Sequence, residues 1–261
     1  MTYEFFALTD TGRVRENNED AASFDAAIGL AILADGMGGY NAGEVASAMA
    51  TAVITAELGP WLSQAATPPS ARDVRLAMEA CVDNANRAIL TSAITHEPYA
   101  GMGTTLVVGV FQHERLILGH IGDSRCYRWR HGALTQLTRD HSLLQEQLDA
   151  GLITAEQAAG SVNRNLVTRA LGVEDAVLLE IHEHRVEPDD VYLMCSDGLT
   201  DMVSDAALAA ILSGNGELAT LAARLVDRAN ASGGRDNITV LMINASQSTK
   251  KRGLMARLLG K

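Results

Sequence analysis

Five short acidic signatures follow or flank the apolar runs of this chain, and they constrain its fold more than any other feature. They are Asn18-Glu19-Asp20, Asp35-Gly36-Met37-Gly38-Gly39, Gly122-Asp123-Ser124, Ser196-Asp197-Gly198 and Arg235-Asp236-Asn237. Three of them follow runs of apolar or small residues, at 28–34, 116–121 and 191–195. Short runs of that kind read as buried strands, so each Asp falls where a strand ends. A fold that gathers such strand ends collects several carboxylates in one place. Clustered carboxylates repel each other, and divalent metal is the usual compensation. Oxygen-only ligands suit Mg²⁺ or Mn²⁺ rather than Zn²⁺. The residues alone therefore point to a metal-dependent hydrolase acting on an anion such as a phosphate ester.

The length, 261 residues with 47% hydrophobic, suits one large domain, and no Pro/Ser/Gly-rich linker divides the chain. The net charge is −11. Lys250, Lys251, Arg252, Arg257 and Lys261 lie in a closing segment without acids, so the body is more acidic still. An acidic body offers no basic groove, which argues against nucleic-acid binding. Cys81, Cys126 and Cys195 show no paired spacing, and free buried thiols in a reducing compartment are expected. The N-terminus lacks a basic region followed by an apolar core, and no apolar run approaches the roughly 18 residues of a membrane span. The expected location is the cytoplasm.

Strands are expected at 3–8, 21–24, 28–34, 104–111, 116–121, 126–130, 177–186, 191–195 and 238–243. Helices are expected at 42–58, stopped by Gly59-Pro60, and at 71–94, 205–212 and 217–230. Between 140 and 170 the pattern breaks into short helical pieces around Gly151 and Gly160, which reads as a flap or lid. Consecutive strands joined by short turns favour antiparallel sheets over a doubly wound parallel one. The expected fold class is α/β (α+β): two packed sheets with helices outside, a small lid, a single domain over 1–244 and a basic tail over 245–261.

The motifs in order are Thr11-Gly12-Arg13-Val14-Arg15-Glu16-Asn17-Asn18-Glu19-Asp20, Ala34-Asp35-Gly36-Met37-Gly38-Gly39 and Gly101-Met102-Gly103-Thr104-Thr105. Then follow Gly119-His120-Ile121-Gly122-Asp123-Ser124-Arg125, Leu137-Thr138-Arg139-Asp140-His141-Ser142, Leu166-Val167-Thr168-Arg169-Ala170-Leu171-Gly172, Ser196-Asp197-Gly198-Leu199 and Gly234-Arg235-Asp236-Asn237-Ile238-Thr239. In this order and spacing they resemble the type 2C metal-dependent protein serine/threonine phosphatases, especially the compact bacterial members. The resemblance runs from about Phe6 to Ile243. It implies a four-layer α-β-β-α sandwich with a metal site at one end of two central, mainly antiparallel sheets.

It also implies roles. Asp20, Asp35, Asp197, Asp236 and the Gly36 carbonyl would be metal ligands, with Asp35 bridging two ions and Glu19 reaching a metal through water. Asp123 would serve a third, weaker ion. The cofactors implied are two or three divalent cations, Mn²⁺ or Mg²⁺. A metal-bridging hydroxide would attack phosphorus in line without a covalent intermediate. Arg15 would grip the substrate phosphate, since a planar guanidinium suits bidentate contact. Asn237 would orient Asp236 or a bound water. Gly36, Gly38 and Gly39 would let backbone approach the ions closely. The partners implied are phosphorylated proteins, a bacterial Ser/Thr kinase and its substrates, and the chain is expected to be a monomer.

Departures bear on the general acid: Met37 and Tyr40 stand where some relatives carry His, and Ser161 stands where His-Pro is common. Protonation of the leaving oxygen is thus unassigned to a side chain. His120, inside an apolar run, reads as a core residue, while His141 reads as a lid anchor or a surface His. Residues 253–259 read as a solvated tail or a short docking helix. A scaffold that has lost its activity would show eroded ligands, yet the four Asp ligands and Arg15 are all present. A phosphatase for a small phosphoester would differ in pocket and lid.

Overall fold

The computed structural model describes residues 1–39, 42–65, 67–154, 157–158, 166–214 and 216–247. Its strands are β1 (Thr2–Asp10), β2 (Asp20–Asp25), β3 (Leu30–Met37), β4 (Gly103–Thr104), β5 (Leu106–Gln112), β6 (Arg115–Ile121), β7 (Arg125–Arg130), β8 (Ala133–Gln136), β9 (Glu180–Arg185), β10 (Val191–Cys195) and β11 (Ile238–Ser246). Its α-helices are α1 (Ala42–Gln64), α2 (Ala71–Thr95), α3 (Leu143–Asp149), α4 (Asp197–Thr200), α5 (Asp205–Leu212) and α6 (Leu218–Ala231). One sheet runs β1-β11-β10-β7-β8 and the other β2-β3-β5-β6-β9, with β4 paired to the end of β3. Every pairing is antiparallel.

Strand periodicity explains why these runs are apolar on both faces. On β3, Leu30, Ile32 and Ala34 pack against α1 and α2, while Ala31 and Leu33 face the other sheet. On β11, Ile238, Val240 and Met242 pack towards α5 and α6, while Leu241, Ile243 and Ala245 join the core between the sheets. Three apolar layers therefore separate four structural layers, helix on sheet on sheet on helix, as expected. Type I′ geometry closes the β7–β8 hairpin, where His131 and Gly132 have φ of 50° and 81°.

One boundary differs from the sequence reading. Helix α1 does not stop at Gly59-Pro60 but continues to Gln64 with Pro60 inside it. Pro60 removes one helical hydrogen bond. The next turn nevertheless buries Leu62 beside Leu58 in the core shared with α2, and that burial holds the turn helical. Helix α1 is also long and apolar enough, by length and composition, to cross a membrane, contrary to the expectation of no such run. It packs against β2, β3 and α2 instead. The three cysteines are free and buried. Of the expected lid, residues 140–154, 157–158 and 166–170 are described, whereas Tyr40, Ser161 and the tail from 248 onward lie outside the described residues.

Candidate active site

The strand ends converge at one end of the two sheets. Asp20 opens β2 and pairs in register with Asp35 on β3. The Asp35 backbone is fixed on both sides: its N–H donates to Thr105 Oγ1 at 3.1 Å, and its carbonyl accepts from the Thr105 N–H and Thr104 Oγ1, each at 2.9 Å. Asp123 follows β6 in a turn whose Gly122 has φ of 97°. Asp197 begins α4 two residues after the end of β10, and Asp236 lies two residues before the start of β11. Glu19 precedes β2, its carbonyl accepting from Ser47 Oγ at 2.6 Å and from the Gly36 N–H at 3.1 Å.

A cleft of about 260 Å³ lies among them, lined by Arg15, Glu19, Asp35, Gly36, Asp123, Asp197 and Asp236, with Met37, Gly38, Thr105 and Val167. Of the candidate ligands only Asp20 does not line it. Asp20 instead lies directly opposite Asp35 across the β2–β3 pair. Its Oδ2 accepts from Ser196 Oγ at 2.8 Å, and its Oδ1 is buried without a partner.

The electrostatics are those of a carboxylate cluster with too little countercharge. Burial pushes Asp35 and Asp197 well above the usual carboxylate range, and the neighbouring aspartates add to it, Asp20 first for Asp35 and Asp123 first for Asp197. Burial raises Asp20 to about 6; burial, then Asp140, raises Asp123 to about 6. Glu19 is raised as well, again by burial first. Among the described residues, Arg15 is the one basic side chain lining the cleft, and it is engaged with Asp236 at 2.7 Å. The orphaned Asp20 oxygen and an oxygen-only donor set of raised carboxylates fit divalent cations of the Mg²⁺ or Mn²⁺ kind.

Asn237 does its work differently from the sequence reading. Its backbone N–H, rather than its side chain, donates to Asp236 Oδ1 at 2.9 Å. The side chain ties down the loop that carries Arg15 and Glu19: Oδ1 accepts from the Glu19 N–H at 2.8 Å, and Nδ2 donates to the carbonyls of Thr11 at 3.0 Å and Asn17 at 2.8 Å. Of the three glycines in the Asp35 motif, Gly36 is the crowded one, where a Cβ would lie 2.1 Å from the Gly43 carbonyl oxygen. At Gly39 a Cβ would meet no protein atom within 4 Å.

His141 is buried, not a surface residue. Its Nδ1 accepts from the Gly122 N–H at 3.1 Å and its Nε2 lies 3.2 Å from Glu180, joining the loop before α3 to the Asp123 turn and to β9. His120 is buried, with Nε2 2.8 Å from the Arg139 carbonyl and Nδ1 unpartnered, so as a core histidine it is only half satisfied.

Several supporting residues were not singled out from the sequence. Ser196 and the Thr104-Thr105 pair stand inside quoted motifs, beside the residues they orient. Gly43 carries no such signal: a Cβ there would sit 2.8 Å from the Glu19 carboxyl carbon, a contact visible only once α1 is docked on β3.

A sequence model described as protein phosphatase 2C matches residues 12–238. The chain belongs to the protein phosphatase 2C family. The serine/threonine phosphatase stp of Listeria innocua is 36% identical over 247 residues, which cover 94% of this chain and 96% of that protein. The crystal structure of the Mycobacterium tuberculosis serine/threonine phosphatase PstP/Ppp superposes with a TM-score of 0.86 at 38% identity, covering 95% of this chain and all of that one. The catalytic domain of PstP in complex with two manganese ions superposes with a TM-score of 0.83 at 38% identity, covering 94% and 99%. The chain is an enzyme with the α-β-β-α sandwich of these phosphatases, a metal-dependent serine/threonine protein phosphatase acting on phosphoproteins.

Proposed function

We propose that the carboxylate cleft is the catalytic centre of this phosphatase and that each residue acts as follows. Asp20, Asp35, Asp197, Asp236 and the Gly36 carbonyl hold two divalent cations, Glu19 contributes through water, and Asp123 adds a third, weaker position. Bound there, the ions would activate water for attack on phosphorus and neutralise the phosphoryl oxygens. The observation that carries this reading is the convergence of Asp35, Asp123, Asp197, Asp236 and Glu19 on one cleft, beside an Asp20 oxygen without a partner.

The chain's own residues complete the site. Arg15 reaches the cleft from an exposed loop and offers a planar donor pair to the substrate phosphate, which competes with Asp236 for it. Ser196 and Asn237 hold Asp20 and the Arg15–Glu19 loop in place. The Thr105 hydroxyl, which also lines the cleft, is engaged by Ser124 Oγ at 2.7 Å and by the Asp35 N–H. No Cys or Ser lines the cleft among the described residues, which supports water as the nucleophile and no covalent phosphoenzyme. The water oxygen joins phosphorus, the serine or threonine oxygen departs with a proton, and inorganic phosphate is released.

The substrates are phosphoserine and phosphothreonine proteins, made by a bacterial Ser/Thr kinase that this enzyme counteracts. It works as a cytoplasmic monomer, one catalytic domain with a lid at 140–170. The names of the relatives support the substrate class, and free buried thiols support the compartment. The deciding experiment is hydrolysis of a phosphothreonine peptide by the full chain with Mn²⁺ added or stripped by chelator. Turnover only with metal is expected; equal turnover in chelator would refute the assignment.

A further inference from the structure

A second hollow opens beside the carboxylate cleft. It encloses about 350 Å³, and Met37 and Val167 line both spaces. Its wall is aliphatic where the cleft is acidic, built from Val173, Ala176, Val177 and Leu178. Val173 is 60% exposed and Leu178 75%. The backbone keeps the segment that carries them from folding inward. Leu171 and Thr104 exchange both backbone hydrogen bonds, at 2.9 and 3.0 Å. Asn86, wholly buried on α2, accepts from the Gly172 N–H at 2.7 Å and donates to the Glu174 carbonyl at 2.8 Å. Gly172 turns with φ of 83°, and a Cβ there would lie 2.4 Å from Ile89 Cγ2. Leu171 and Leu179 are buried at either end of the segment. The turn is thus fixed from below and holds an aliphatic patch open to water next to the catalytic cleft.

We infer that this hollow is a substrate subsite that takes an aliphatic side chain of the phosphoprotein, within a few residues of the phosphoserine or phosphothreonine. The inference rests on the phosphatase reading of the cleft. Continuity carries it: with the phosphate among the carboxylates, the Met37–Val167 border leads the substrate chain onto the aliphatic wall. Arg169 and Glu174 also line the hollow, so its rim carries both signs and favours neither an acidic nor a basic side chain. Because the turn is held in advance by Asn86 and Thr104, binding there requires little further ordering. Small apolar differences in such a pocket discriminate substrates by about 10- to 200-fold.

The test uses the Mn²⁺-loaded full chain and phosphothreonine peptides alike except for one residue, Leu or Asp, walked from three positions before the phosphothreonine to three after. At one position or two adjacent ones, Leu is expected to exceed Asp in kcat/KM by about tenfold or more. Val173→Asp and Leu178→Asp should each bring that ratio to within about twofold of unity. Both side chains are largely exposed in the native fold, so these variants should fold, which circular dichroism would verify. p-Nitrophenyl phosphate, which has no flanking residues, serves as the reference for each variant. A flat peptide profile, or a Leu preference that survives both variants, would overturn the subsite while leaving the phosphatase reading intact. Metal-dependent turnover of p-nitrophenyl phosphate but of none of the peptides would overturn the subsite together with the phosphoprotein substrate, and no turnover of any substrate with metal would overturn the catalytic reading of the cleft.

Discussion

Asp20 and Asp35 stand directly opposite each other on β2 and β3, and after burial the Asp20 charge is the first cause of the raised Asp35 carboxyl. Two carboxyls in one register position are held by the fold itself, since β2 and β3 pair over six residue pairs, from that contact to Asp25 opposite Leu30. Without cations, burial and mutual repulsion favour a proton on the pair. With cations it can be fully ionised, so the same geometry that costs stability in the metal-free protein supplies ligands to the metal-bound one.

Asp35→Asn should therefore separate activity from stability. The amide keeps the shape but removes the charge that Asp20, Asp197 and Asp123 repel. Phosphopeptide turnover in Mn²⁺ is expected to fall by about a thousandfold or more, consistent with loss of a ligand central to charge stabilisation. The chelator-treated variant should melt at or above the temperature of the chelator-treated parent. Full activity in this variant would sink the site assignment.

The raised carboxyls also set the pH dependence. A group whose folded pKa lies above its unfolded one stabilises the fold below the unfolded value, and that contribution is lost as pH rises through the folded value. For Asp20 and Asp123, raised to about 6, the loss runs from about pH 4 to just above pH 6. Metal-free protein should thus lose stability across that interval. The increase in Tm produced by Mn²⁺ should grow across the same interval, because ions compete with protons for the same oxygens. Thermal melts at half-unit pH steps, with and without Mn²⁺, would check this; a metal-induced shift that shrinks between pH 4.5 and 6.5 would contradict it.

How far the sequence revealed this arrangement follows from where each determinant lies. The strands were legible because β3, β5, β6, β10 and β11 are buried on both faces, which leaves unbroken apolar runs, three of them leading to Asp35, Asp123 and Asp197. The end of α1 was not, because what carries it past Pro60 is the burial of Leu62 against residues far away in sequence. In the site, the Asp ligand candidates stood out by repetition and by their motifs. The contacts that aim them did not. Asn237 reaches across to Thr11, Asn17 and Glu19, and Gly43 makes room for a Glu19 carboxylate on another element. Such contacts are set by docking between elements and have no local periodicity to betray them.

Gly198→Ala tests whether the Asp197 and Asp236 turns must touch. A Cβ at 198 would lie 2.0 Å from the Asn237 carbonyl oxygen and 3.4 Å from the Asp236 carbonyl carbon. Backbone cannot yield as a flexible side chain could, so the two turns would be pushed apart. A destabilisation of about 1–3 kcal/mol is expected, and with it a higher Mn²⁺ concentration for half-maximal activity, since both turns carry candidate ligands. Chemical denaturation and a Mn²⁺ titration would measure the two effects. An unchanged Mn²⁺ requirement would mean that the spacing of these turns does not matter to the metals.

Arg15 and Asn237 should respond in opposite ways to truncation, although both serve the same loop. Arg15 is half exposed and its partner Asp236 nearly a third exposed, so their ion pair contributes at most about 1 kcal/mol to folding. Arg15→Ala should leave the melting temperature nearly unchanged and raise KM for a phosphopeptide, with kcat/KM down by about 10- to 100-fold as a charge-assisted phosphate contact is lost. Asn237 is buried and its side chain makes three hydrogen bonds to the backbone of the loop. Asn237→Ala removes the partner of the half-buried Glu19 N–H and of two carbonyls, at about 1–3 kcal/mol for each group that water cannot reach. It should therefore lower stability by several kcal/mol at most and loosen the loop that presents Arg15 and Glu19. Steady-state kinetics paired with urea unfolding separates the two. If Arg15→Ala proved the more destabilising, the guanidinium would be a structural tie of the loop, and its part in holding phosphate would have to be given up.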